Sequence, residues 1–486
     1  MNLQASCPRD RPIVSWAPYV VVVALALMVW WICRPGFMSA DSIAQYGQAK
    51  SGQFTSLHPP LMAAVLRLVL FAGGDLGFLM LIQCLAGMLG IVALAKAVLR
   101  QVAGKRAIER SQSWLAIGVL LGLLLPVSPL TFYLMTFWKD AWAMVLMLWL
   151  LERLLPGNGR DGEAARLVTT VVLAAFLGLV RHNAVVVLPI VGAILAHRSR
   201  RRPGLAAVLA FAPLGLFALV GTALDRGLRV ADRSPAPVIM VLDLLGLCAT
   251  GPEVCAELPW TRAHVLDPDA LGRYLPGDIG FFAWGEPKVV DYPAVARDRS
   301  RLTTEYWRAI RRFPLVFARV KLEAFSNLLG LKSTYYFVHA TIVDNPFGLH
   351  LEPRSAGARE LLRSATEGVA KHPIMRWVSG VHALWIAIDL IGIAALWSWH
   401  KSPAGQGVGP LASALTVPLA YYLSYLVATP VHDFRFMYPA TLAVQCFLFA
   451  GAVGIWVRKA PADLACKANL GTTGPGSENA RRSLSS

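Results

Sequence analysis

Acidic residues are scarce in this chain: 29 Asp and Glu stand against 46 Lys and Arg in 486 residues, and charged residues of both signs reach only 15%. A soluble chain of this length carries about a quarter charged residues and divides into several domains. That class is excluded. Cysteine is sparse too, with seven in all and no metal-ligand clustering. Cys248 and Cys255 lie close together in a long loop, where they can pair in an oxidising compartment or remain two thiols. No internal repeat of the transporter kind is visible. The net charge of +17 does not point to nucleic acid, because many of the basic residues sit in short loops between apolar runs, as the positive-inside rule expects.

What the chain has in abundance is apolar sequence. Hydrophobic residues make up 56% and mean hydropathy is +0.53. They come in runs of roughly 20, the length that crosses about 30 Å of hydrocarbon as a helix. The pattern predicts an all-α polytopic membrane protein with about ten spans: 13–33, 77–98, 114–133, 141–155, 167–180, 184–196, 205–224, 378–399, 411–429 and 437–457. The first run is long for a signal-peptide core and no clean small-residue cleavage site follows, so it reads as a retained anchor. The pair 167–180 and 184–196 is short and reads as a hairpin, with one interrupted helix as the alternative. Basic clusters at Lys96–Arg110, Arg198–Arg202 and Arg458-Lys459 mark the cytoplasmic side. This divides the chain into an N-terminal membrane module, 1–224, an external soluble insertion of mixed structure, 225–377, a C-terminal membrane module, 378–457, and a disordered cytoplasmic tail, 458–486.

The first external loop, 34–76, is polar where its surroundings are not. Its stretch RPGFMSADSIAQYGQAKSGQFTSLHPP carries one acid, Asp41, and closes on His58-Pro59-Pro60. Residues 39–50 read as a short helix with Ser39 as N-cap and Asp41 in the first turn, where a carboxylate suits the helix dipole. The two prolines stop regular structure and hold His58 extended. Residues 61–71 are apolar but too short to span, and read as an interfacial helix.

With this topology, unusual polar groups from separate loops gather at one membrane face: Asp41, His58, Lys139-Asp140, Arg181-His182-Asn183 and His432-Asp433-Phe434-Arg435. Polar residues at span ends are costly unless solvated or paired, so their convergence points to a shared site. The chemistry that suits the set is transfer from a lipid-linked phosphate. Arg435 and Arg181 are suited to phosphate oxygens. Asp41 is placed as general base for an acceptor hydroxyl attacking a sugar C1. Asp140 can position the acceptor, hold Lys139 or help bind a divalent cation. His58 can bond the leaving phosphate or orient Asp41, while Lys139, His182 and Asp433 are supporting candidates. The blander readings are a helix cap for Asp41, an interfacial pair for Lys139-Asp140, and snorkelling for the arginines. Asp389 and His382, seven residues apart within one span, read as partners in hydrogen bonds between helices.

These motifs resemble the GT-C superfamily of membrane glycosyltransferases, which includes the protein O-mannosyltransferases and lipid A aminoarabinose transferases. The resemblance rests on PGFMSADSIAQYGQAKSGQFTSLHPPL after the first span, TFWKD at 136–140 and HDFRFMYP at 432–439. It covers the topology of about the first 200 residues and, less closely, the last 60; the 225–377 region matches nothing nameable. Many members carry an Asp-Glu pair in the first loop where this chain has Asp41-Ser42. The resemblance implies a catalytic acid at Asp41, a second acid at Asp140, a polyprenyl-phosphate-sugar donor, and an external lipid, glycan or protein acceptor. A metal is required in some members and not in others. A transporter or flippase, a glycan polymerase or ligase, and a non-catalytic scaffold are the competing classes. The early acidic loop ahead of His-Pro-Pro goes unexplained in the polymerase reading, and Asp389 is the one clear midplane charge a transporter would use.

Overall fold

The computed structural model describes residues 16–103, 109–125, 128–157, 162–231, 236–265, 268–276, 289–331, 338–402, 407–429 and 433–459. Among these the chain is helical and forms no β-strand, only isolated paired residues. It is an all-α polytopic membrane protein. The expected tail beyond Lys459, the N-terminal residues before Trp16, and His432 lie outside the described residues.

In chain order the first half runs α1 (Ala17–Cys33), α2 (Ala40–Ser51), α3 (Leu61–Phe71), α4 (Leu76–Ala103), α5 (Glu109–Leu124), α6 (Leu130–Leu134), α7 (Lys139–Leu154), α8 (Glu163–Val180), α9 (Val187–Arg198) and α10 (Pro203–Gly227). Three apolar helices close the chain: His382–His400, Gly409–Val427 and Tyr438–Lys459. Each of the ten expected spans therefore has a helix. Six of them are long and apolar enough to cross a membrane by themselves. The exceptions are α1, α5, α7 and α9, at 17, 16, 16 and 12 residues.

The expected third span, 114–133, is not one helix. Helix α5 stops at Leu124, and α6 restarts for only five residues after Pro129. Pro129, at the N-cap of α6, lacks the backbone donor that a continuous helix would need there. At Arg181 the backbone is extended, a short 3-10 turn follows at His182–Val186, and the chain doubles back. Gly178 and Leu188 meet across that turn, with Phe217 of α10 also against Gly178.

Helix α4 is the hub, packed by α1, α5, α7 and the Tyr438–Lys459 helix. The α9–α10 contact is as close as backbones allow: a Cβ on Gly192 would collide with the Ala210 carbonyl. Small residues of this kind let membrane helices approach closely.

The 225–377 insertion is built of helices and irregular stretches among its described residues. Ala236–Ala249, Arg299–Arg312 and Pro314–Leu328 enclose an apolar cluster of their own, with Leu242, Leu245, Leu302 and Val320 at its centre. Buried Asp243 ties the three together, accepting from Lys321 Nζ and from the Tyr306 hydroxyl, each at 3.0 Å. Cys248 and Cys255 are disulfide-bonded.

Candidate active site

The site forms where the loop after α1 folds back over the bundle. Gly36 makes the first turn with φ +115°, and a Cβ there would fall 2.5 Å from Met80 Cγ. A left-handed conformation under that crowding requires glycine. The turn delivers Phe37 to a two-bond pairing with the 135–137 backbone: Phe37 N donates to Met135 O (2.7 Å) and Phe137 N to Phe37 O (2.9 Å). Met38 pairs on its other side with 341–343. Segment 34–38 is thus held between two distant parts of the chain.

Helix α2 starts one residue later, with Ser39 as its extended N-cap residue and Asp41 in its first turn. Ser42 Oγ donates to Phe137 O at 2.6 Å, and Trp138 Nε1 donates to Ser39 Oγ at 3.0 Å. These bonds lock the acidic end of α2 onto the start of α7. Phe347 packs on Tyr46 from outside, completing the clamp.

All eight residues expected at the site are placed, and most of them converge. Arg435 Nη2 donates to Asp41 Oδ2 at 2.8 Å, and Arg435 Nε lies 2.9 Å from Asp433 Oδ2. Asp433 also accepts the Arg435 backbone N–H, which fixes the turn that aims the guanidinium. His58 Nε2 lies 3.7 Å from Asp41 Oδ1, and its Nδ1 lies 2.8 Å from Lys139 Nζ. Burial and the neighbouring Arg181 push Lys139 down to about 7; in its charged form the ammonium can only donate, so Nδ1 then accepts and the ring carries its proton on Nε2, facing Asp41. A second pair sits deeper: Arg181 Nη2 is 2.8 Å from Asp140 Oδ1 and 3.0 Å from the Tyr425 hydroxyl. His182 stands apart, exposed, bonded to the backbone of Ser56.

Exposure separates the two acids. The Asp41 side chain is 35% exposed and that of Asp140 only 1%. Burial alone would raise the Asp41 carboxyl, but the neighbouring charges, Arg435 first, hold it well below the ordinary carboxylate range. Burial and the adjacent Lys139 push His58 down to about 3, so it is neutral at physiological pH. Among the described residues no three His, Cys, Asp or Glu side chains are grouped to hold a metal ion. Each carboxylate faces an arginine instead.

An aromatic frame that the sequence reading missed surrounds the two guanidinium groups. Phe436 lies between the two guanidinium groups, 4.3 Å from Arg181 and 5.1 Å from Arg435. Trp138 takes the other side of Arg435 at 5.1 Å, and Tyr133 donates to the Arg435 carbonyl at 2.6 Å. Buried His339 lies against Trp138. Trp138 and Phe436 flank the charged residues in TFWKD and DFRF, which is the one signal that could have found them.

His382 behaves as expected, bonded to Thr441 Oγ1 (2.7 Å) and the Phe434 carbonyl (3.1 Å), and so steadies the Arg435 turn. Asp389 does not: it is buried, and among the described residues neither oxygen has a hydrogen-bond partner.

No family model matches this chain, and neither does any curated protein. Among solved structures the chain is similar to the crystal structure of ArnT from Cupriavidus metallidurans bound to undecaprenyl phosphate. The match has 16% identity and a TM-score of 0.31, and covers 88% of this chain and 78% of that one.

Proposed function

We propose that the protein is a membrane glycosyltransferase of GT-C type, moving a sugar from a polyprenyl-phosphate donor to a hydroxyl of a lipid, glycan or protein acceptor outside the cell. The observation that carries this reading is Asp41: an ionised carboxylate, part-exposed at the mouth of a membrane bundle, bonded to the Arg435 guanidinium and faced by His58 from another segment of the chain.

In the reaction the acceptor oxygen attacks C1 of the sugar from the face opposite the phosphate. The C1–O bond to phosphate breaks, its electron pair stays on the phosphate oxygen, and the acceptor proton passes to Asp41. A general base at this position contributes about 10²–10⁴ in rate. The lowered pKa of Asp41 keeps it in the proton-accepting form at every physiological pH, and the acceptor oxygen becomes acidic enough to give up its proton as its bond to C1 forms. Asp140 and Arg181, buried as a pair behind Asp41, act by positioning. The basic side of the site, Arg435 and Lys139 with the neutral His58 beside them, faces the donor phosphate. The isoprenoid chain lies along the apolar helices below, the 225–377 insertion covers the site from outside, and the bundle sits in a bacterial inner membrane.

Labelled sugar supplied to membranes from a deletion strain and its parent tests this directly. The reading expects one lipid, glycan or protein fraction to lose label in the deletion strain. Identical profiles would contradict it.

A further inference from the structure

We propose that the 225–377 insertion docks on the bilayer surface through the corner between its Arg299–Arg312 and Pro314–Leu328 helices. Trp307 and Leu315 enter the lipid there, and Arg308, Arg311 and Arg312 bind the phosphates of anionic phospholipids. This docking is independent of the transfer reaction.

Helical periodicity gives each of the two helices a buried side and a bare one. Tyr306 and Lys321, one from each helix, both bond to buried Asp243 of the Ala236–Ala249 helix. Leu302 and Ala309 are buried on the same side as Tyr306, and Val320 and Ala324 on that of Lys321. The opposite sides point away from this support. One shows Trp307, Arg308 and Arg311, and the other shows Leu315 and Leu322, two turns apart. Leu315 is 84% exposed, Leu322 57% and Trp307 51%. A bare apolar stripe beside arginines, on a helix joined to a membrane bundle, marks an interfacial helix.

The charge at the corner selects the lipid. Thr304, Arg308, Arg311 and Arg312 line an open cleft of about 420 Å³. Among the described residues Arg312 faces Glu257 at 3.7 Å, while Arg308 and Arg311 have no carboxylate within ion-pair distance. The next helix begins at Pro314 with no side-chain cap and no acid in its first turn. Its positive end therefore adds to the arginines instead of offsetting them. Guanidinium groups suit phosphate oxygens, and a tryptophan beside them belongs at headgroup level. The position in the fold agrees. Ala383 N, at the start of the His382–His400 span, donates to Leu329 O at 3.3 Å, and the Pro314–Leu328 helix packs on the Gly409–Val427 span. Fifteen helical residues keep the corner within roughly 22 Å of those span ends. Docking also steadies the candidate active site, because Leu57, next to His58, packs on the apolar cluster of the insertion, and Ser56 N donates to Ala231 O at 3.0 Å.

The full-length protein in nanodiscs tests the docking. An environment-sensitive dye is placed on Leu315→Cys in a chain carrying Cys7→Ser and Cys466→Ser; the remaining free cysteines, Cys33, Cys84 and Cys446, are buried. Phospholipid brominated in its acyl chains then reports contact by quenching. In phosphatidylcholine discs containing phosphatidylglycerol the dye should be quenched, and in phosphatidylcholine alone much less so. Arg308→Gln with Arg311→Gln should lower the ratio of docked to free about 25-fold, roughly fivefold for each cation at an anionic surface. Arg308→Lys with Arg311→Lys should keep the quenching. A dye that stays in water in both kinds of disc overturns the proposal, as does quenching unchanged by the glutamine pair. A dye shielded from water yet not quenched by lipid would place a second copy of the chain on the corner, and overturns it too.

Discussion

Asp41 and Asp140 are both acids at the start of a helix, yet their surroundings give them different work. Asp41 is part-exposed and has Arg435 and His58 around it, whereas Asp140 is sealed with Arg181. Removing one member of a buried ion pair strands the other, at a cost of about 3–5 kcal/mol. Arg181→Ala should therefore lower the thermal unfolding midpoint markedly, and combining it with Asp140→Asn should recover part of the loss. If Arg181→Ala unfolds like wild type, the pair is not what holds this part of the site. The pH response follows from His58 and Asp41. With His58 held at about 3, the unfolded chain binds its proton at about 6.5 and the folded chain does not. Stability is then complete above about pH 6.5 and declines as pH falls toward 3. Asp41, also lowered, adds a loss beginning near the ordinary carboxylate value of about 4. His58→Asn should flatten the upper part of that decline in unfolding measured against pH. Neither group should produce an activity limb between pH 5 and 8. The residues themselves were legible in sequence, because polar side chains at span ends stand out against lipid. Their pairing was not: Arg181 read as a phosphate ligand, and only the fold shows it turned inward to Asp140.

At the scale of elements, the first loop was the most readable part of the chain. Helix α2 begins after Ser39 as its cap chemistry requires, and α3 covers the apolar stretch 61–71 that was too short to span. The third span was misread because hydropathy counts apolar residues and not missing donors. Helix α5 ends at Leu124, and the short α6 after Pro129 brings Tyr133 under Arg435. No periodicity announces the backbone pairing that fixes segment 34–38, since it joins residues about a hundred and three hundred positions apart. Gly36 is where this pairing is most exposed to test. Gly36→Ala combines a positive φ with a collision at Met80. It should displace Phe37 and cut transfer by more than its effect on stability accounts for, read as activity per folded molecule. Activity per folded molecule equal to wild type would show that the turn does not set the position of Asp41.

At the scale of the whole molecule, ten apolar runs were enough to foresee a helical membrane bundle, because bilayer thickness leaves few alternatives. The insertion was foreseen only as a polar interval of mixed structure. Its described part is helical and centred on a buried Asp243–Lys321–Tyr306 network, which composition could not disclose. The account stands most directly on Asp41. Transfer of labelled sugar should be measured in membranes carrying wild type, Asp41→Asn or Asp41→Glu at matched amounts of folded protein. A loss of about 10²-fold or more in Asp41→Asn, with partial activity in Asp41→Glu, is the predicted result. Undiminished transfer by Asp41→Asn would contradict the central claim that this carboxylate takes the acceptor proton.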